Sequence, residues 1–293
     1  VPTSSNFTGL WIPLITPFSN GAVDHAALTR LVQHLRPTGI AGFVVCGSTG
    51  EAAALDKTEQ LAVLDTVLQA ADGLPVVMGL SGYHLPDTVA WVQTLAEKPL
   101  VGLLVPPPHY IRPSQEGVLQ WFTTIADASA LPLIVYDIPY RTGVSITLAT
   151  FRDLARHPRI AAIKDCGGDA AKTQALIADG QLQVLAGEDA QVFSTVALGG
   201  AGAIAACAHL HTQQFVRVLE WIGSGNLEQA RALWRPLQQL IAALFAEPNP
   251  GPLKAVLAHL GQIHNELRAP MTAATAAHAQ HVIAFHAAIN TEE

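Results

Sequence analysis

Eight short, almost uninterrupted apolar runs recur along the 293-residue chain, and the alternation of these runs with amphipathic stretches restricts the fold more than any other feature. The runs cover 11–16, 42–46, 75–80, 101–105, 133–136, 160–164, 183–186 and 203–206. A run that is apolar at successive positions, rather than at every second one, suits a parallel strand buried on both faces. The intervening stretches carry helical stripes: Leu28, Leu31, Val32 and Leu35 in one, Leu61, Leu64, Leu68 and Ala71 in the next. Asp24 and Asp56 stand where an N-cap side chain would accept the first free backbone N–H groups. An open doubly wound sheet and a closed barrel both use this alternation. Eight β-then-α units between residues 11 and about 222, in a chain not far above the roughly 250 residues of a (β/α)8 TIM barrel, favour the barrel. The expected catalytic domain is therefore 1–224.

The remaining 225–293 reads as helix. An amphipathic stretch at 227–245 is broken by Glu247-Pro248-Asn249-Pro250-Gly251-Pro252, and helical patterns at 253–260 and 272–289 follow. No linker separates them from the barrel, so they are expected as a C-terminal helical extension packed on it rather than an independent domain.

Half of the residues are apolar and only 13% are charged, which allows a large core and calls for much of the chain to be buried or packed against a partner, such as further copies in a dimer or tetramer. A net charge of −7 without any Lys/Arg cluster argues against nucleic acid. Cys46, Cys166 and Cys207 are widely spaced and form no C-x-x-C pair, as expected of reduced thiols in the cytoplasm. Residues 1–9 lack the basic and apolar parts of a signal peptide. No apolar run reaches the ~20 residues needed to span a bilayer. The histidines show no metal-ligand spacing, so no metal is expected.

Three clusters carry chemistry. Lysine occurs only at 57, 98, 164, 172 and 254, and four of the five fall on helical patterns or their ends, where an ammonium reaches water. Lys164 instead ends the apolar run Ile160-Ala161-Ala162-Ile163. The carboxyl end of a barrel strand is where barrel active sites are built. Burial there would lower the amine's pKa and leave a neutral nucleophile; the alternative is a structural lysine paired with Asp165 or Glu188. Gly47-Ser48-Thr49-Gly50-Glu51 ends the second run and offers either an anion cradle for a carboxylate or a simple turn. Tyr136-Asp137-Ile138-Pro139-Tyr140-Arg141-Thr142-Gly143 ends the fifth, with a tyrosine able to relay a proton and an arginine able to hold a carboxylate, or else a buried tyrosine and a surface arginine.

These clusters, with His109-Tyr110-Ile111-Arg112-Pro113-Ser114-Gln115-Glu116-Gly117, Ile163-Lys164-Asp165, Gly187-Glu188-Asp189 and Gly199-Gly200-Ala201-Gly202, occur in an order that resembles the dihydrodipicolinate synthase/N-acetylneuraminate lyase family of class I aldolases. The resemblance runs from about residue 9 to about residue 270. It implies that Lys164 forms a Schiff base with pyruvate and that no separate cofactor is used. It implies a proton relay through Tyr136, Thr49 and Tyr110, the last reaching into a neighbouring subunit's site. Ser48 and Thr49 would hold the pyruvate carboxylate, while Gly187 and Ile204 would line the pocket through their backbones. A homotetramer built from dimers is the assembly the resemblance implies.

Arg141, within Tyr-x-x-Pro-x-Arg-Thr-Gly, resembles the synthase branch, in which the arginine binds the carboxylate of aspartate 4-semialdehyde and the product is 4-hydroxy-tetrahydrodipicolinate, a lysine and diaminopimelate precursor. Asp137 replaces the usual asparagine and, if turned inward, would oppose an anionic aldehyde; a related pyruvate-dependent lyase acting on a 2-keto sugar acid is the alternative, and a non-catalytic barrel a third. Lys57, Gln60 and Tyr83 stand where lysine-regulated members carry two histidines and an asparagine, so weak or no inhibition by lysine is expected.

Overall fold

The computed structural model describes residues 6–289; residues 1–5 of the polar start and 290–293 at the end of the expected extension lie outside the described residues. The strands are β1 (Gly9–Pro13), β2 (Phe18–Ser19), β3 (Ala22–Val23), β4 (Gly42–Val45), β5 (Val76–Gly79), β6 (Gly102–Val105), β7 (Leu133–Asp137), β8 (Ile160–Asp165), β9 (Gln183–Ala186) and β10 (Gly202–Ile204). The helices are α1 (His25–Leu35), α2 (Lys57–Ala71), α3 (Leu85–Leu95), α4 (Gln115–Ala128), α5 (Pro139–Thr142), α6 (Leu148–Leu154), α7 (Ala170–Asp179), α8 (Val192–Ala197), α9 (Thr212–Gly223), α10 (Leu227–Leu244), α11 (Gly251–His259) and α12 (Ala276–Ile289).

The expected barrel is present. Eight strands close in the order β1-β10-β9-β8-β7-β6-β5-β4, with parallel pairing, while β2 and β3 form a separate antiparallel hairpin. The first run was expected at 11–16 and the eighth at 203–206; the strands fall at Gly9–Pro13 and Gly202–Ile204, because Gly9 pairs with Gly202.

The described chain divides into two compact units. One holds most of each barrel strand with α3 to α8 (6–11, 41–44 and 75–205). Its core is the barrel lumen, filled by Phe7, Trp11, Val44, Val77, Leu104, Ile134, Ile138, Ala162, Leu185 and Ile204. Phe7 and Trp11 fit only because two strands begin with glycine. A methyl group on Gly42 would come within 2.5 Å of the Trp11 ring, and one on Gly102 within 2.8 Å of the Phe7 ring.

The other unit comprises 12–40, 45–74 and 206–289, and in it α1 packs on α2, α9 on α10, and α12 on both α10 and α11. Asp24 caps α1 by accepting from the Ala27 N–H, and Asp56 forms a full capping box with Glu59 at α2, as expected. No helix among the described residues is long and apolar enough to cross a membrane. Cys46, Cys166 and Cys207 are buried, and none forms a disulfide among the described residues.

Candidate active site

In the barrel unit the period of two along a strand decides what faces the lumen. Along β7 and just past its end, Ile134, Tyr136 and Ile138 join the lumen core; along β8 and just past its end, Ala162 and Cys166 do, which puts Lys164 between them on the same face. Tyr136 and Lys164 are register partners on the paired strands, and the Lys164 Nζ sits 4.3 Å from the centre of the Tyr136 ring. Lys164 is only 5% exposed. Burial holds its amine below the ordinary lysine value, Arg141 adds to this, and the acidic groups of Asp189 and Glu188 oppose it in part.

Neither Asp165 nor Glu188, the carboxylates named as alternative partners, forms an ion pair with Lys164 among the described residues. Asp165 accepts from the Thr173 hydroxyl and the Gly167 N–H, and Glu188 accepts from the Tyr140 hydroxyl at 2.8 Å. Among the described residues Lys164 makes no ion pair. Gly187 keeps space open beside it: a methyl group there would lie 2.4 Å from the Cys166 Sγ and 2.8 Å from the Lys164 Cγ.

The same alternation turns Asp137 and Asp165 out of the lumen. Asp137 is fully buried and meets the Lys172 Nζ at 2.6 Å, while Lys172 also donates to the Ile146 carbonyl at 3.0 Å. Its carboxylate therefore does not enter the site from which it was feared to repel an anion. Burial raises its pKa, and Lys172 works against that rise. Lys172 was expected to reach water from α7; instead it is 7% exposed, because this carboxylate supplies a buried counter-charge.

After β7 the chain enters the single turn α5, which Gly143 ends in the left-handed region at φ 75°. Arg141 on this turn is exposed, its guanidinium 5.9 Å from the centre of the Tyr140 ring. Gly143 has a second reason to lack a side chain, since a methyl group would fall 2.6 Å from the Arg112 Nε. The Arg112 side chain lies against this loop, and Gln115 ties it down by donating to the Ser145 carbonyl and accepting from the Thr147 N–H and the Thr150 hydroxyl. Tyr110, in the loop after β6, has φ 74° and is 85% exposed. Ile204 is buried in the lumen core at the end of β10.

The second unit carries the Gly-Ser-Thr-Gly loop, which leaves directly from β4. The Gly50 N–H donates to the Gly47 carbonyl and the Glu51 N–H to the Ser48 carbonyl, so the loop is a tight turn. Ser48 is exposed and Thr49 is buried. The Asn249 amide donates to the Thr49 Oγ1 at 3.0 Å, which leaves the threonine's own hydrogen for another acceptor. Glu51, at φ 52°, meets the Lys254 Nζ at 2.5 Å and accepts from the Arg268 N–H. Lys254, also expected to reach water, is 0% exposed and forms the loop's buried anchor. Asn249 and Lys254 were not singled out from the sequence, where the Asn-Pro-Gly-Pro stretch reads only as a helix break.

Among the described residues no group of three or more His, Cys, Asp or Glu is placed to hold a metal ion. His209 is structural: its Nε2 lies 3.3 Å from the Ile15 N–H, and burial lowers its pKa to about 4.

The structure thus brings Lys164, Tyr136, Gly187 and Ile204 to the barrel unit's lumen and Arg141 to the loop that follows β7. Ser48 and Thr49 lie together in the other unit's loop.

Comparison with known proteins agrees over nearly the whole chain. The model of the dihydrodipicolinate synthetase family matches residues 6–289. A curated relative, 4-hydroxy-tetrahydrodipicolinate synthase 2 of Clostridium acetobutylicum, is 36% identical over 90% of this chain and 93% of its own length. A chloride-inhibited dihydrodipicolinate synthase of Acinetobacter baumannii, solved with pyruvate, superposes with a TM-score of 0.94 at 29% identity, over 97% of this chain and 99% of that one. The 4-hydroxy-tetrahydrodipicolinate synthase of Methylacidiphilum fumariolicum SolV gives 0.94 at 27% identity, over 98% of each chain.

Proposed function

The chain belongs to the dihydrodipicolinate synthetase family, and from that premise we propose that it condenses pyruvate with L-aspartate 4-semialdehyde to give 4-hydroxy-tetrahydrodipicolinate. The observation that carries the reading is Lys164: a buried amine of lowered basicity, without an ion pair among the described residues, in contact with a tyrosine inside the barrel.

Its neutral amine attacks the pyruvate ketone, and the carbinolamine loses water to give an iminium. Loss of a methyl proton yields the enamine, whose carbon adds to the aldehyde. Tyr136 is the group beside the amine that gives and takes these protons. Thr49 and Tyr110 complete the relay, and Ser48 with Thr49 holds the pyruvate carboxylate. Arg141 binds the carboxylate of the semialdehyde, and the backbones at Gly187 and Ile204 line the pocket. The Asn249 bond supports the role of Thr49, because it orients the hydroxyl as a donor. Because the covalent imine serves as the electron sink, the chemistry calls for no separate cofactor.

Tyr110 serves a neighbouring subunit, which fits its 85% exposure and that of its neighbour Ile111 at 54%. The proposed assembly is a homotetramer of dimers, acting in the cytoplasm. The outward turn of Asp137 removes the observation that favoured a sugar-acid lyase.

The test is condensation of pyruvate with aspartate semialdehyde, followed by product formation and run beside borohydride trapping of the pyruvate adduct. Efficient condensation with trapping is the expected result. Trapping without condensation would keep the Schiff-base chemistry and reject this aldehyde.

A further inference from the structure

Tyr140 lies outside the roles assigned above, yet its side chain makes a long-range contact at the active end of the barrel. It stands on α5, after β7, and its hydroxyl donates to the Glu188 carboxylate, which follows β9. Since the strand order is β9-β8-β7, the bond runs past the carboxyl end of β8, the strand that carries Lys164. The 2.8 Å contact joins residues 48 apart in sequence.

Three further relations tie this bond to the site. Glu188 acts electrostatically on the Cys166 thiol, which joins the lumen core just after the strand that carries Lys164. Glu188 and Arg141 both act electrostatically on the Lys164 amine. The Arg141 guanidinium rides beside the Tyr140 ring at 5.9 Å. A phenol, a carboxylate and a guanidinium thus share the rim above the amine, with Tyr140 touching the other two.

We propose that Tyr140 is a specificity-determining residue for the second substrate: the Tyr140–Glu188 bond forms a crossbar at the mouth of the barrel that admits short aldehydes and turns away longer polyhydroxylated ones. The chemistry follows from what the bar occupies. Glu188 is the acceptor at the rim that an aldose's hydroxyls would use, and it is already taken by the phenol. On this proposal the ring stands in the way of a chain extended beyond four carbons. A four-carbon amino-acid aldehyde needs only the guanidinium beside the bar. The proposal deepens the reading of Lys164 as the pyruvate-binding amine and rests on it.

Tyr140 is 65% exposed, so substitution there opens no core cavity. The experiment compares wild type with Tyr140→Phe and Tyr140→Ala, using pyruvate with each of three aldehydes: aspartate semialdehyde, glyceraldehyde and D-arabinose. Borohydride trapping of pyruvate confirms that each variant keeps a working Lys164. Tyr140→Ala should raise kcat/KM for arabinose relative to glyceraldehyde by roughly tenfold or more, the range over which pocket contacts discriminate substrates. Tyr140→Phe, which removes only the bond to Glu188, should move the same ratio in the same direction by less. A structural role confined to holding α5 would depress all aldehydes together and leave the ratio where it was. No gain for arabinose in Tyr140→Ala, with trapping intact, overturns the proposal. If wild type fails on aspartate semialdehyde, the proposed function falls, while the arabinose-to-glyceraldehyde ratio still judges Tyr140.

Discussion

Lys164 and Lys172 lie close in sequence, one on β8 and the other in the first turn of α7, and both are almost completely buried, at 5% and 7% exposure. Their surroundings differ in one respect. Lys172 faces the Asp137 carboxylate at 2.6 Å, whereas Lys164 faces an aromatic ring and makes no ion pair among the described residues. Lys254 repeats the first arrangement in the other unit, with Glu51 at 2.5 Å. Burial alone therefore does not make a nucleophile. A buried lysine with a counter-charge ties elements together; at Lys164, which has none, burial holds the amine below the ordinary lysine value, and the free amine is what attacks a ketone.

The strongest way to break the comparison is to remove the unpaired amine. Lys164→Met should abolish pyruvate trapping and lower turnover by on the order of 10⁴-fold or more, as loss of a covalent nucleophile does. The protein should still fold and be more stable than wild type. The sign follows from proton counting. Between the lowered pKa of the folded lysine and the ordinary value of 10.5, the unfolded chain binds more protons, so wild-type stability rises with pH across that window. The advantage of Lys164→Met is thus greatest below the folded pKa and shrinks as pH approaches 10.5, which urea unfolding at several pH values would read.

Breaking the paired lysine should do the reverse. Lys172→Met strands the Asp137 carboxylate and should cost about 3–5 kcal/mol of stability, with Asp137→Asn in the same chain recovering most of it. Urea midpoints of the single and double variants measure this. Equal stability of all three would mean that the pair contributes nothing.

A smaller effect is expected at Tyr110. Tyr110→Phe should lower turnover by roughly tenfold to a hundredfold while trapping of pyruvate persists, since only a relay step is lost. An unchanged rate would remove it from the relay. The smallest effect concerns lysine as an effector. Gln60 is buried with its amide donating to the Ala52 and Leu55 carbonyls, and the exposed Tyr83 stands edge-on to His109. Neither repeats the residues of lysine-regulated members, so millimolar lysine should leave the rate nearly unchanged, and potent inhibition would contradict that.

What the sequence made legible follows the range of the interactions involved. Strands buried on both faces announce themselves as apolar runs, and the caps Asp24 and Asp56 act within three residues, so both were readable. The lumen position of Lys164 also follows from alternation along β8. The same alternation, applied one residue past Tyr136, turns Asp137 outward. What stayed hidden depends on pairing across long stretches of chain. Lys172 finds Asp137 across 35 residues, Asn249 finds Thr49 across 200, and Tyr140 finds Glu188 across 48. Nothing in the helical pattern around Lys172 or Lys254 distinguishes a solvated lysine from a paired one. The β2–β3 hairpin, with two residues in each strand, is too short to leave a pattern.

The most direct test of the difference between the lysines is to incubate the protein with pyruvate, reduce with borohydride, digest, and locate the adduct by mass spectrometry. The account predicts one N-(1-carboxyethyl) adduct, on Lys164, with Lys57, Lys98, Lys172 and Lys254 unmodified. An adduct on Lys172 or Lys254, or none at all, would contradict it.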